Sequence, residues 1–466
     1  MPEQTQNSTE TPETMDHSSH PSTSGGIEAT SQSKKAPRSP EEEQNPAPPD
    51  TKPPPRDIEE GSDAYHPGGF HPVYIGDVYN HRYEIIDKIG YGVYSTVWVV
   101  KDLQNLDSDR RKYLALKVLS GICYHTGYDV FEREILAHLR DGDRDAFGYK
   151  HICHLLDDFE HEGPNGKHVC LVFELYGETL SSFGTLFDGS MIPTALMRRF
   201  TIQLLCALDF AHSHGVIHTD ITPSNIFVKF RDHSLIESKY LKTRRVAQQD
   251  RNEEKYTVIP SFRFQNCYFT SSDDLWEFDI ALGDWGVASW TDKHLTENIQ
   301  PVALRAPEVL IKAPWDEKAD FWNLGAVLLE VYRAIRMFSG CVPRNGPYEV
   351  REHMAEIVAF FGPFPQSLLE KGNQEIVQDI FDEEGKVRGM PSQIPPLGSE
   401  AIMPGLRDEI RADFESFLRA MMKIEPSERA TAEDLLRFPF LRALPPKGEW
   451  SQEKENNEGA ETETTS

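Results

Sequence analysis

The chain has 466 residues, a formal charge of −27 and 10% aromatic residues, enough apolar material for one large folded domain or a few average ones. So acidic a chain makes a poor nucleic-acid binder and would attract cationic partners, with plain solubility as the alternative role of the charge. Six cysteines stand at 123, 153, 170, 206, 267 and 341 without a C-x-x-C pair, which excludes a zinc ribbon or a dithiol redox motif.

Residues 1–65 are rich in Pro, Ser, Thr and Glu, with 13 acids against 5 bases and almost no large apolar side chains. Such a segment cannot offset its ordering entropy and is expected to be disordered. Its start, MPEQTQNSTETPETMDHSSHP, has neither a basic opening nor an apolar stretch, so no secretory signal is expected. No run of about 18 apolar residues occurs, so no membrane span is predicted. RYEIIDKIG and STVWVVKD predict two strands around a glycine turn, and LALKVL and HVCLVFEL two more. Between them, DVFEREILAHLR carries an apolar stripe of Val130, Ile135, Leu136 and Leu139 at helical spacing. The second half reads as helices in TALMRRFTIQLLCALDFAHSHG, ADFWNLGAVLLEVYRAI, EVREHMAEIVAFFG and DEIRADFESFLRAMMKI. A weakly patterned stretch over about 231–277 reads as an insertion between core elements. The tail at 445–466 has the composition of the first one. This order predicts an α+β architecture, a small β-rich lobe (about 66–176) joined to a larger helical lobe (about 177–444), with a ligand cleft between them.

IGYGVYSTVWVV places Gly90 and Gly92 between two strands. Without a Cβ, such a turn lets the backbone approach phosphate oxygens, although many plain hairpins carry one G-x-G. It precedes a strand rather than a helix and lacks G-K-[ST], so it is neither a dinucleotide fingerprint nor a Walker loop. Lys117 in ALKVL lies on the next strand. Alone, a strand lysine is more often a solvated edge charge. A buried ammonium needs a carboxylate, and the following helix offers Glu132 and Glu134. Glu132 is preferred, because Ile135, Leu136 and Leu139 then fall three, four and seven residues on. VIHTDITPSNIFV sets His218, Asp220 and Asn225 in one short loop, and ALGDWGVASW offers Asp284 after the apolar strand FDIAL. Alone, D-W-G would be a plain turn. LRAPEVL with Glu308, ADFWNLG with Asp320 and PSERATAEDLL with Arg429 complete the series. No single motif carries the case; their order and spacing do.

In that order the chain resembles the eukaryotic protein kinases, in particular the CMGC group and, within it, the SR-protein kinases of fungal type. GGFHPVYIGDVYNHRYEIIDKIGYGVYSTVW, HTDI and HLTENIQ ahead of RAPEVL carry the closer likeness. EVREHMAEIVAFFGPFPQSLLEKG resembles the CMGC helical insert. The resemblance covers about Tyr65 to Leu444. It implies a bilobal protein-kinase fold and an ATP- and magnesium-dependent serine/threonine kinase acting on Arg/Ser-rich proteins such as splicing factors. With the reduced cysteines and the lack of a signal or apolar span, a cytoplasmic and nuclear monomer is expected, without a direct nucleic-acid or membrane partner.

Carried over residue by residue, Asp220 would accept the substrate hydroxyl proton and His218 would brace its turn. Asn225 and Asp284 would hold magnesium, and Lys117, paired with Glu132, would hold the α- and β-phosphates. The nucleotide would lie against Ile89, Gly90, Tyr91, Gly92, Val93, Tyr94, Ser95, Thr96, Val97, Ala115, Lys117, Glu174, Tyr176 and Asp284, with Phe173 at the back of the adenine pocket. Glu308 and Arg429 would form a buried pair in the large lobe. The chain departs from the family pattern at Ser95, in place of a third glycine, and at Trp285, in place of phenylalanine. It departs most at Thr222, where most serine/threonine kinases have a lysine on the γ-phosphate. The segment from Gly286 to Ala306 is short, as in relatives active without phosphorylation there. Two alternatives stand beside this reading. One is a pseudokinase scaffold, on the strength of Thr222. The other is a small-molecule kinase of related fold, weakened by the A-P-E segment and the CMGC-like insert.

Overall fold

The computed structural model describes residues 59–108, 110–124, 130–244, 249–251, 255–264, 277–341, 347–389 and 394–442. Cys267 and most of both tails lie outside the described residues. Six antiparallel strands form the small lobe: β1 (Val78–Tyr79), β2 (Tyr83–Tyr91), β3 (Ser95–Asp102), β4 (Tyr113–Leu119), β5 (Leu155–Gly163) and β6 (Gly166–Glu174), in spatial order β1-β2-β3-β4-β6-β5. The period-two alternation of side chains splits their apolar residues between two faces. Trp98, Val100, Leu116 and Val172 fill one cluster. Val99, Ala115 and Leu171 join the main core on the other, together with Ile135, Leu136 and Leu139 of α1 (Glu132–Arg140).

The large lobe opens with α2 (Leu180–Gly184), where the Thr179 hydroxyl accepts the Ser182 N–H, and α3 (Thr194–Ser213). Two small ladders follow. β7 (Val216–Ile217) pairs with β10 (Ser289–Trp290), and β8 (Ile226–Val228) with β9 (Ile280–Leu282). Between β8 and β9 lie a π-helical turn, Ile236–Tyr240, and α4 (Leu241–Thr243). Then come α5 (Pro307–Leu310), α6 (Lys318–Arg333), α7 (Val350–Phe361), α8 (Gln366–Leu369), α9 (Gln374–Ile380), α10 (Asp408–Met421), α11 (Ala432–Leu435) and α12 (Pro439–Arg442). α6 is buried nearly all round, with Asp320 and Asn323 among its buried residues. Arg429 donates twice to Glu308, at 2.7 and 2.6 Å, and both side chains are fully buried. Such a pair is worth more for positioning than for net stability.

Two segments of weak apolar pattern pack more closely than their composition suggests. On composition residues 59–65 belong with the tail, yet Glu59 and Glu60 reach the ammonium of Lys88, which is 0% exposed. Described residues of the insertion, Tyr240, Gln249, Tyr256, Ile259 and Phe262 among them, pack on the small lobe. Ile259 enters its core cluster, and the Tyr256 hydroxyl donates to the Val73 carbonyl at 2.7 Å. Gln249 accepts from the Ile75 N–H at 3.0 Å, and Tyr240 donates to Asp87 at 3.3 Å. Polar and aromatic residues make most of these contacts, so hydrophobic periodicity does not reveal them.

Candidate active site

The loop after β7 is held from below by the first turns of α6. Asp320, fully buried, accepts the His218 N–H at 2.8 Å and the Thr219 N–H at 2.9 Å, and bonds His212 Nε2 at 2.9 Å. Burial works against this carboxylate, but the His212 hydrogen bond and the neighbouring imidazoles outweigh it and keep its pKa below the usual range. Asn323 exchanges two hydrogen bonds with the Ile221 backbone, at 3.0 and 2.8 Å. These anchors hold Thr219 at φ +65°, a left-handed conformation costly for a β-branched residue.

His218 Nε2 lies 3.0 Å from the Gly283 carbonyl, and its Nδ1 lies 3.2 Å from the Asp220 N–H. That arrangement needs the proton on Nε2 and the lone pair on Nδ1. The ring also packs edge-on against the buried Trp285 at 4.6 Å. Asn225 donates through Nδ2 to the Asp220 carbonyl and carboxylate, both at 2.9 Å. Its side-chain oxygen is thereby directed away from Asp220. Burial pushes the Asp220 carboxyl up.

Lys117 pairs with Val97 on one side and Leu171 on the other, in the middle of the sheet. Its ammonium lies 2.6 Å from Glu132 and 2.8 Å from Asp284. Burial opposes the lysine charge, but Asp284 and Glu132 overcome it and push its pKa up. The same ammonium holds the Asp284 carboxyl below its ordinary value. Glu132, the choice made from helical spacing, is 2% exposed. Glu134 faces the Tyr124 hydroxyl instead.

A cavity of about 640 Å³ between the lobes is lined by Ile89, Gly90, Tyr91, Gly92, Ser95, Val97, Ala115, Lys117, Glu132, Glu174, Tyr176, Asn225 and Asp284. Asp220 joins that lining through Asn225. A Cβ on Gly90 would meet nothing within 4 Å, so the space above it is open. Val93, Tyr94 and Thr96, expected against the nucleotide, are not part of this lining. Val93 is 82% exposed and Tyr94 44%. Strand alternation sends Thr96 to the opposite face from Ser95 and Val97, where its hydroxyl accepts the Trp98 Nε1–H at 2.9 Å. Phe173 lines the cavity beside Phe227, which stacks on Tyr176.

The protein kinase domain family matches residues 83–243 and 264–441. The chain belongs to the protein kinase family. Similar proteins include the serine/threonine-protein kinase SRPK of Physarum polycephalum, 30% identical and covering 83% of this chain and 92% of that one. Serine/threonine-protein kinase SKY1 of Saccharomyces cerevisiae is 33% identical, covering 82% and 78%. SRSF protein kinase 3 of Mus musculus is 25% identical, covering 90% and 97%. The chain is thus a serine/threonine protein kinase like the SR-protein kinases. A crystallised kinase domain superposes with a TM-score of 0.58 at 22% identity, over 79% of this chain and 98% of the other, and shows the same fold.

The carboxylate of Asp284 and the amide oxygen of Asn225 are hard oxygen donors of the kind magnesium takes, and a magnesium site needs only one or two from the protein when phosphates and water supply the rest. The residues present therefore fit that ion. Sequence reasoning missed another part of this kinase's cleft: Glu59, Ser261, Phe262, Arg263 and Phe264 also line it. No spacing signal connects them to the glycine turn, because they lie far from it in sequence.

Proposed function

We propose that this kinase transfers the γ-phosphoryl group of ATP to serines in Arg/Ser-rich proteins, with Asn225 and Asp284 holding magnesium. The observation that carries the reading is that Lys117, Glu132, Asp284 and Asn225 line one cavity, with Asp220 hydrogen-bonded to Asn225. Lys117 would meet the α- and β-phosphate oxygens with a charge held in place by two carboxylates. The serine oxygen bonds to the γ-phosphorus as the β–γ bridging bond breaks and ADP leaves. Asp220 takes the hydroxyl proton. Magnesium, when bound, neutralises charge on the β- and γ-phosphates. Two features support the substrate class, the net charge of −27 and the name of the mouse relative, SRSF protein kinase 3. The setting we propose is a monomer working in cytoplasm and nucleus. No described helix is long and apolar enough to cross a membrane.

Thr222 favours a second reading, a scaffold that binds nucleotide without transfer. It brings no charge to the loop, and its carbonyl accepts the Asn225 N–H at 3.0 Å. Loss of one hydrogen bond to a charged group costs about 1.5–3 kcal/mol, about 10- to 150-fold in rate. A positioned base contributes about 10²- to 10⁴-fold, and Asp220 is present. The balance favours a slow kinase over an inert one. The test is phosphate transfer from labelled ATP to an Arg-Ser repeat peptide and to a Lys-Ser control, with Asp220→Asn as the blank. Transfer to Arg-Ser alone, abolished in the variant, supports the kinase. ATP binding without transfer to either peptide supports the scaffold.

A further inference from the structure

The nucleotide cleft has a wall that belongs to neither the sheet nor the helical lobe. Ser261, Phe262, Arg263 and Phe264 of the insertion line the same cavity as Ile89, Lys117 and Asp284. The segment is fixed to the strand that enters the glycine turn. The Phe262 N–H donates to the Lys88 carbonyl at 2.8 Å, one residue before Ile89. Ser261 donates to Glu59 through its N–H, at 2.6 Å, and its hydroxyl, at 3.0 Å. Glu59, Glu60 and the Ile259 carbonyl together hold the fully buried ammonium of Lys88. Phe262 and Phe264 pack on the ring of Tyr240 at 5.3 and 4.6 Å.

Charge gives this wall a role. Among the described residues lining the cavity, the cations are Lys117 and Arg263, against Glu59, Glu132, Glu174, Glu178 and Asp284. A nucleoside di- or triphosphate is a polyanion entering an acidic cleft. Thr222 adds no charge. Arg263 is exposed, and a guanidinium either stacks on a base or bonds to sugar and phosphate oxygens. The segment's anchor, Lys88, pairs with Trp98, which pairs in turn with Leu116, the neighbour of Lys117.

We propose that residues 261–264 of the insertion form a third wall of the nucleotide site, with Arg263 and Phe262 as nucleotide-contacting residues. This rests on the kinase reading above. It is a role in affinity, not in the phosphoryl transfer itself.

The experiment measures ADP, ATP and adenosine binding by calorimetry on the full chain, with kcat and KM for ATP alongside. The proteins are wild type, Arg263→Ala, Arg263→Lys and Phe262→Ala, each checked for an unchanged melting temperature. Arg263→Ala should weaken ADP and ATP roughly fivefold or more, the loss of a charged hydrogen bond. It should raise KM for ATP in step and leave kcat within about twofold. Adenosine affinity should fall less than that of ADP. Arg263→Lys should retain most of the affinity, and Phe262→Ala should weaken all three ligands. Wild-type binding unchanged in both alanine variants overturns the third wall and leaves the kinase reading standing. No nucleotide binding by the wild type overturns both. If Phe262→Ala unfolds the protein, the exposed Arg263 pair decides alone.

Discussion

Asp320 shows how a single buried carboxylate can set a reactive loop. It fixes two consecutive backbone N–H groups and thereby a left-handed threonine, a conformation that costs about 1–3 kcal/mol and survives only where its surroundings impose it. The Thr219 hydroxyl then donates to the Val287 carbonyl at 2.8 Å, tying the loop to the segment after Asp284. Thr222 in the same loop remains uncharged. Thr222→Lys should raise or preserve kcat for an Arg-Ser peptide, and a sharp fall would mean that the site has been rebuilt around threonine. Burial raises the pKa of Asp220, the Asp284 charge adds to this, and His218 and Asn225 oppose it. A general base works in its deprotonated form. Turnover should therefore fall as pH drops through a pKa above the ordinary aspartate value of about 3.9, an acid limb to be read from a kcat–pH profile. A limb at or below that value would show that Asp220 is not the titrating base. Lys117 and Glu132 were legible in the sequence because helix spacing fixes which glutamate faces the sheet. Thr96 was misplaced because a motif read as a run of letters ignores the alternation that turns every second side chain away.

At the scale of elements, the sheet and the long helices follow from apolar periodicity, and α1, α3, α6, α7 and α10 fall within the stretches that showed it. The segment at 59–65 and the insertion do not, since ions and aromatic rings hold them to β2 rather than an apolar stripe. Lys88 is the test. Its ammonium is 0% exposed between Glu59 and Glu60. Removing one member of a buried ion pair costs about 3–5 kcal/mol, because the charge left behind is uncompensated. Lys88→Met should therefore lower stability by that order in chemical denaturation. A change below about 0.5 kcal/mol would mean that the two carboxylates reach solvent when the lysine is gone. Reading the sequence alone could not supply this contact, because Glu59 and Glu60 look like two more acids in an acidic tail.

For the whole molecule, the order of the motifs was enough to give the two-lobed kinase architecture, and the family match over residues 83–243 and 264–441 agrees with it. The break in that match falls inside the insertion, the part whose local pattern was least informative. The insertion leaves the large lobe at β8 and returns to it at β9, a strand bonded to β8, and between these points it is fastened to β2 and to the Val73–Ile75 backbone. The small lobe is therefore joined to the larger one by the Glu174–Glu178 crossing and, non-covalently, by the hydrogen bonds of the insertion. Melting the sheet by itself would expose Ile259 and strand the buried Lys88 cluster. The two lobes should accordingly denature as one cooperative unit, giving a single calorimetric transition with equal calorimetric and van't Hoff enthalpies. A kinase fastened in this way cannot melt its sheet without also unseating residues 261–264 from the cleft they line.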